Sequence, residues 1–227
     1  MPSASLEEEP TKLERVSIPG PVGKLEGLVE WSTDHASSSL AAMVCHPHPL
    51  YGGTMHSKVV YRAAKAALAL GVPTLRFNFR GVGKSEGEYA GGPGEHDDVR
   101  AALDYLLSRY STASVCLMGF SFGAWVGLAV GAHHSRVGAL VGLGVPAGSY
   151  DFSTLSGVTK PKLIVQGTED VYGPRDKLEA LFASLLEPKR LCWIEGADHF
   201  FDGHLDEVQS TVHEFLQELL AGRIDQG

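Results

Sequence analysis

Residues 117–125 read LMGFSFGAW and set one hydroxyl, Ser121, inside an apolar run that extends from Val115 to Ala132. Two readings of that run compete. Its length approaches the roughly twenty apolar residues of a membrane span. Gly119, Gly123, Gly127 and Gly131 recur at every fourth position, the small-residue spacing that lets membrane helices approach closely. The alternative divides the run into a buried strand at 114–119, a sharp turn at GFSFG, and a helix from Phe122 to His133 packed on a sheet by its glycine face. The flanking sequence has to decide.

Upstream, RVSIP and KLEGLVEW are two expected strands joined by the turn signal GPVG, and LAAMVC is a buried strand that ends at HPHPLYGG. His56 to Leu70 is alanine-rich, carries Val59, Val60, Ala63, Ala67 and Leu70 on one face, and stops at Gly71. VPTLRFNF follows as a strand, and Glu95 to Tyr110 as an amphipathic helix with acidic residues in its first turn, where the helix dipole favours them. Downstream, VGALVGLG and PKLIVQG read as strands, PRDKLEALFASLL as a helix, LCWIEG as a strand and LDEVQSTVHEFLQELLAG as the closing helix. Parallel strands need crossover helices, so this alternation predicts an α/β fold with a mostly parallel central sheet and helices on both faces. Strands covered on both sides are continuous apolar runs, and 137–145 is a second such run, bounded by Arg136 and PAGS. The strand-turn-helix reading of 114–133 is therefore preferred, and no membrane span is expected. The expected boundaries are a tail at 1–13, one domain at 14–221 and a short tail at 222–227.

With 227 residues, 44% of them hydrophobic and 20% charged, the chain can bury one large core. A formal net charge of −8 opposes a nucleic-acid partner, which needs a basic face. Cys45, Cys116 and Cys192 each lie in an apolar, strand-like run and are expected to be reduced. The segment MPSASLEEEPTKLER has no apolar signal core, and its glutamates are wrong for an organellar transit peptide. The expected location is the cytoplasm.

Within this fold GFSFG is a nucleophile elbow, a turn so tight that small residues are required two positions either side of Ser121. The bland alternative is a serine capping the following helix. A serine hydroxyl needs a base, and the base needs a carboxylate, which in this chain order follow the serine as acid and then histidine. Asp170, just past PKLIVQG, and His199, just past LCWIEG, meet that order. All three residues fall at carboxyl ends of strands, where open parallel sheets gather their ligand sites. His133, His134, His204 and His213 lie in or beside helices, His35 and His96 are read as loop residues, and His46 and His48 precede the serine. Glu169 and Asp198 are the rejected acids.

Acyl chemistry also needs donors for the oxyanion. The backbone N–H of Phe122 is one, and the loop after LAAMVC should give the other. Pro47 and Pro49 have no N–H, which leaves His48, Leu50 and Tyr51; Leu50 is the favoured donor. His46 and His48 lack a third ligand at metal spacing and are read as braces of the loop, with no metal expected. Tyr51, Phe120, Tyr172 and Phe200 are candidates for an apolar acyl site.

HPHPLYGGTMHSKVV, FNFRGVGKSEGEY, GFSFG, GTEDVYGP and GADHFF, taken together, resemble the α/β-hydrolase superfamily, and within it the small lidless serine hydrolases of the carboxylesterase and dienelactone-hydrolase kind. The resemblance runs from about Val16 to Leu220. It implies an α/β-hydrolase fold and hydrolysis of an ester, thioester or amide through an acyl-enzyme, with no cofactor. Arg80, Gly81, Gly83 and Ser85 look like the family's RGxGxS turn, which shapes the cleft. The same residues mimic the end of a phosphate-binding P-loop, but Asn78 stands where its first glycine belongs and EGEYAGGPGE replaces the helix that must follow.

The segment VPAGSYDFSTLSGVTK leaves little room for a cap domain, so an open pocket suited to small or short-chain esters is expected. The alternatives are an acyltransferase or thioesterase on the same triad, or a non-catalytic small-molecule binding protein. Monomer and homodimer are both open.

Overall fold

The computed structural model describes residues 11–33 and 38–224. Within them the chain runs β1 (Thr11–Gly20), β2 (Gly23–Ser32), β3 (Leu40–Cys45), α1 (Lys58–Leu68), β4 (Thr74–Phe77), α2 (Pro93–Arg109), β5 (Ser114–Phe120), α3 (Phe122–His133), β6 (Val137–Leu143), β7 (Lys162–Gly167), α4 (Arg175–Ser184), β8 (Lys189–Ile194) and α5 (Leu205–Leu220). The strands form one eight-stranded sheet in the order β1-β2-β4-β3-β5-β6-β7-β8. β1 and β2 pair antiparallel, β2 joins β4 antiparallel, and every further pairing is parallel. The expected α/β architecture is the observed one.

Alternation along each strand explains its composition. Ala41, Met43 and Cys45 of β3 pack into a core with Val99 and Leu103 of α2 and Phe122 and Leu128 of α3. Ala42 and Val44 face the opposite core, with Val59, Val60 and Ala63 of α1 and Val208, Val212 and Phe215 of α5. Successive side chains of a strand point to opposite faces, and here both faces are covered, so no polar alternation survives in β3, β5 or β6.

The 115–132 run is thus split between β5 and a 12-residue α3, with Ser121 between them. Its glycine stripe packs on the sheet: a Cβ at Gly127 would lie 2.8 Å from Leu117 Cδ2, and one at Gly131 2.7 Å from Leu140 Cδ2. Among the described residues no helix is long and apolar enough to cross a membrane.

Several boundaries differ from expectation. β1 starts at Thr11, where pairing of Thr11, Lys12 and Leu13 with Ser32, Trp31 and Glu30 draws the end of the expected 1–13 tail into the sheet; residues 1–10 and His35 lie outside the described residues. α2 starts at Pro93, because the buried Glu95 carboxylate accepts the N–H groups of Ala90 and Gly92 at 2.8 and 2.6 Å and closes the preceding loop. His96, read as a loop residue, lies in the first turn of α2, in keeping with the helix expected from Glu95. Residues 146–161 contain only a 3₁₀ turn at Ser153–Leu155, and Phe152, Leu155 and Val158 anchor the segment in the core. That anchoring leaves the carboxyl edge of the sheet uncapped by this segment.

The RGxGxS residues carry the chain across that edge. Arg80 donates from its backbone N–H, Nε and Nη2 to the fully buried Asp98 carboxylate at 2.8 to 3.1 Å. Ser85 Oγ donates to the Asn78 carbonyl at 2.7 Å and accepts the Glu26 N–H at 2.9 Å. Gly81 and Gly83 take left-handed φ values of 74° and 60°.

Candidate active site

Ser121 sits between β5 and α3 with φ 55° and ψ −121°, a strained conformation for a residue with a Cβ. Such a residue costs about 1–3 kcal/mol and persists only when its surroundings over-determine it. Here the flanking glycines allow the close approach: a Cβ on Gly119 would collide with the Gly123 carbonyl, and one on Gly123 with the carbonyls of Cys45 and His46. Ser121 does not cap α3 with its side chain. Its Oγ lies 2.9 Å from His199 Nε2 instead.

His199 Nδ1 lies 2.7 Å from Asp170 Oδ2. With the carboxylate accepting at Nδ1–H, the other ring nitrogen is left to accept from the Ser121 hydroxyl. The Asp170 side chain is wholly buried. Its Oδ1 accepts the N–H groups of Tyr172 and Gly173 at 2.8 and 3.2 Å, and its Oδ2 also accepts from Gln166 Nε2 at 2.7 Å. Gln166 in turn accepts the Val145 N–H at 2.7 Å through Oε1, so the carboxylate is tied to the ends of both β6 and β7. Phe120, Tyr172 and Phe200 surround the imidazole with ring centroids at 5.3, 4.6 and 5.4 Å.

The rejected residues are engaged elsewhere. Glu169 is exposed, and Asp198 accepts the N–H groups of Phe200 and Asp202. His134 accepts the Arg136 N–H, and His204 pairs with Glu207. Among the described residues His199 alone hydrogen-bonds Ser121 Oγ.

The loop after β3 corrects one expectation. Leu50, the favoured second oxyanion donor, has its N–H committed to His48 Nδ1 at 3.2 Å, and the residue is 65% exposed. The Tyr51 and Gly53 N–H groups both go to the His48 carbonyl at 3.1 Å. The 3₁₀ turn Pro49–Tyr51 consumes these donors internally, which leaves the His48 N–H as the one of the three without a partner among the described residues. Phe122 N–H, at the first position of α3, is likewise unpartnered there, as the opening donors of a helix must be. The His48 ring lies 4.9 Å from the Phe122 ring, so the two donor-bearing residues are neighbours.

His46 and His48 brace this loop. Buried His46 donates from Nδ1 to the Pro47 carbonyl at 2.6 Å and accepts the Phe79 N–H at Nε2 at 3.0 Å. Burial lowers its pKa from 6.5 to about 4. An unfolded chain protonates this ring below about pH 6.5 and the folded chain only below about pH 4, so between those limits the unfolded state binds the extra proton and stability falls as pH falls. Acidification from pH 7 to 4 is expected to cost about 3 kcal/mol through this ring. In urea titrations across that range His46→Gln should flatten the decline relative to the parent chain; parallel profiles would contradict the assignment.

Ser121 and His199 open into a cleft of about 580 Å³, and all four candidate acyl-site residues, Tyr51, Phe120, Tyr172 and Phe200, line it. Tyr51 is 85% exposed at the mouth. Tyr150 lines it too and is stacked on Trp125 at 4.4 Å and 18°. The His48 N–H is one of the three donors weighed from the sequence but not the favoured one, and Tyr150 and Gln166 are not among the expected site residues. Only Gln166 carried a signal, as a lone amide in the apolar strand KLIVQG.

The alpha/beta hydrolase domain family matches residues 43–223. The chain belongs to the α/β-hydrolase family. This hydrolase is 36% identical over 206 residues to an uncharacterized protein of Rickettsia prowazekii, covering 87% of this chain and 86% of that protein. A solved α/β serine hydrolase without lid from Xanthomonas campestris is 34% identical, with 92% of this chain and 96% of that chain covered and a TM-score of 0.84. An α/β serine hydrolase homologue from Coxiella burnetii is 39% identical, with coverage of 89% and 97% and a TM-score of 0.83. The hydrolase shares with them the fold that sets Ser121, Asp170 and His199 at one sheet edge.

Proposed function

We propose that this hydrolase cleaves a small or short-chain carboxylic ester or thioester through an acyl-enzyme on Ser121. The observation that carries the reading is the continuous chain of short contacts from Ser121 Oγ through His199 to buried Asp170. His199, held by Asp170 in the tautomer with Nδ1 protonated, takes the Ser121 proton as Oγ attacks the acyl carbon. The N–H groups of Phe122 and His48 receive the oxyanion in place of solvent. His199 then gives its proton to the departing alkoxide or thiolate, and a water repeats the sequence on the acyl-enzyme. No group beyond these side chains and water is required, and the three cysteines, all free, suit a reducing cytoplasm.

The acyl preference follows from how the cleft is walled. Tyr51, Tyr172 and Phe200 keep 85%, 49% and 54% of their surface exposed. An acyl chain longer than the cleft would thus leave its further methylenes in water and gain none of the roughly 0.8 kcal/mol each that burial supplies. In a series of p-nitrophenyl esters kcat/KM should be greatest for acetate to butyrate and level or falling beyond. A steady rise to laurate would contradict the proposal.

A further inference from the structure

We infer that Tyr89 is a positioning residue for the oxyanion site, acting through the His48 side chain; this rests on the acyl-enzyme reading above. His48 Nδ1 accepts the Leu50 N–H, so the neutral imidazole carries its proton on Nε2 and donates it to Tyr89 Oη, 3.1 Å away. The ring is thereby pinned at both nitrogens. It also packs among Tyr51, Tyr89 and Phe122, with centroids at 4.6, 5.0 and 4.9 Å, and Tyr89 itself reaches the Phe122 ring at 5.9 Å. The two candidate oxyanion donors, the backbone N–H groups of His48 and Phe122, are therefore clamped to one another through an imidazole that Tyr89 holds.

Tyr89 is in turn held by the protein and not by the cleft. It is half-buried, a Cβ on Gly81 of the RGxGxS turn would lie 3.3 Å from its backbone nitrogen, and the next residue, Ala90, is fixed by the Glu95 carboxylate. The RGxGxS turn thereby sets Tyr89 beside the His48 ring. Without that anchor the loop 46–53 keeps its internal turn but loses its tether to the 80–92 segment, and the His48 N–H is free to move relative to Phe122 N–H. An oxyanion donor acts only when aimed where the charge develops, and small misplacements of such groups cost rate more than binding.

Tyr89→Phe removes the hydroxyl and keeps the ring packing. It is expected to lower kcat about tenfold with KM changed less than about twofold, and to weaken an alkyl boronic acid, whose tetrahedral adduct on Ser121 places an oxygen between the two donors, by a similar factor. Binding of the unreacted ester, measured on the Ser121→Ala background, should be the same with and without Tyr89→Phe, and peptide-level hydrogen exchange should quicken over residues 46–53. Wild-type kcat and boronate affinity in Tyr89→Phe would overturn the inference, as would an equal loss of ground-state ester binding, which would indicate general damage to the cleft. Those results leave the acyl-enzyme reading standing. Unchanged turnover in Ser121→Ala alone would bring down both.

Discussion

Ser121→Ala is expected to lower kcat by about five to six orders of magnitude, the scale on which removal of an activated serine acts when base and oxyanion donors remain. The substitution deletes only Oγ. The strained backbone at φ 55° is retained because alanine also has a Cβ, and the glycines that permit the elbow are untouched. His199 loses one hydrogen bond at Nε2 but keeps the bond from Nδ1 to Asp170. Thermal unfolding should therefore shift by no more than a few degrees, while steady-state ester hydrolysis falls to the background of the buffer. A variant that unfolds would say nothing about chemistry, so both measurements are made on the same preparation. Retained turnover would remove Ser121 from the mechanism.

Asp170→Asn is expected to cost about four orders of magnitude in kcat through the tautomer of His199. The asparagine Oδ1 can still accept the Tyr172 and Gly173 N–H groups that Asp170 Oδ1 accepts now. Its amide NH₂ then occupies the place of Asp170 Oδ2, which accepts from both His199 Nδ1 and Gln166 Nε2. Donor would face donor, so His199 must present an unprotonated Nδ1 and carry its proton on Nε2, where it can no longer accept from Ser121. Rate should fall with little change in the position of the ring. The check is kcat together with ester binding on the Ser121→Ala background, which should be unaffected. A loss below about tenfold would mean that another group orients His199.

Much of this was legible before the fold was known, and particular residues explain why. The central strands LAAMVC, SVCLMGF and VGALVGL are buried on both faces, and continuous apolar runs report that burial directly. Ser121 was legible because the elbow constrains its neighbours: nothing larger than glycine fits at 119 or 123. Asp170 and His199 were legible from chain order and their places just past strands. Leu50 was misread because proline placement shows which N–H groups exist but not which are already spent. The three-residue turn at 49–51 directs those of Leu50 and Tyr51 back onto His48, a matter of local hydrogen bonding that composition does not encode. Tyr89 and Gln166 escaped for a different reason. Each ties the site to a residue distant in sequence, His48 lying 41 positions from Tyr89 and Val145 21 from Gln166, and only the folded sheet edge brings these together. The early start of β1 at Thr11 has the same origin, since it rests on pairing across the hairpin with Ser32 of β2.

Whether Ser121 is an activated nucleophile is read from intact-mass analysis after treatment with a fluorophosphonate probe. One adduct is expected on the parent chain and none on Ser121→Ala, with Asp170→Asn labelled far more slowly. A folded parent chain that takes up no probe, or an adduct that persists in Ser121→Ala, would contradict an activated Ser121.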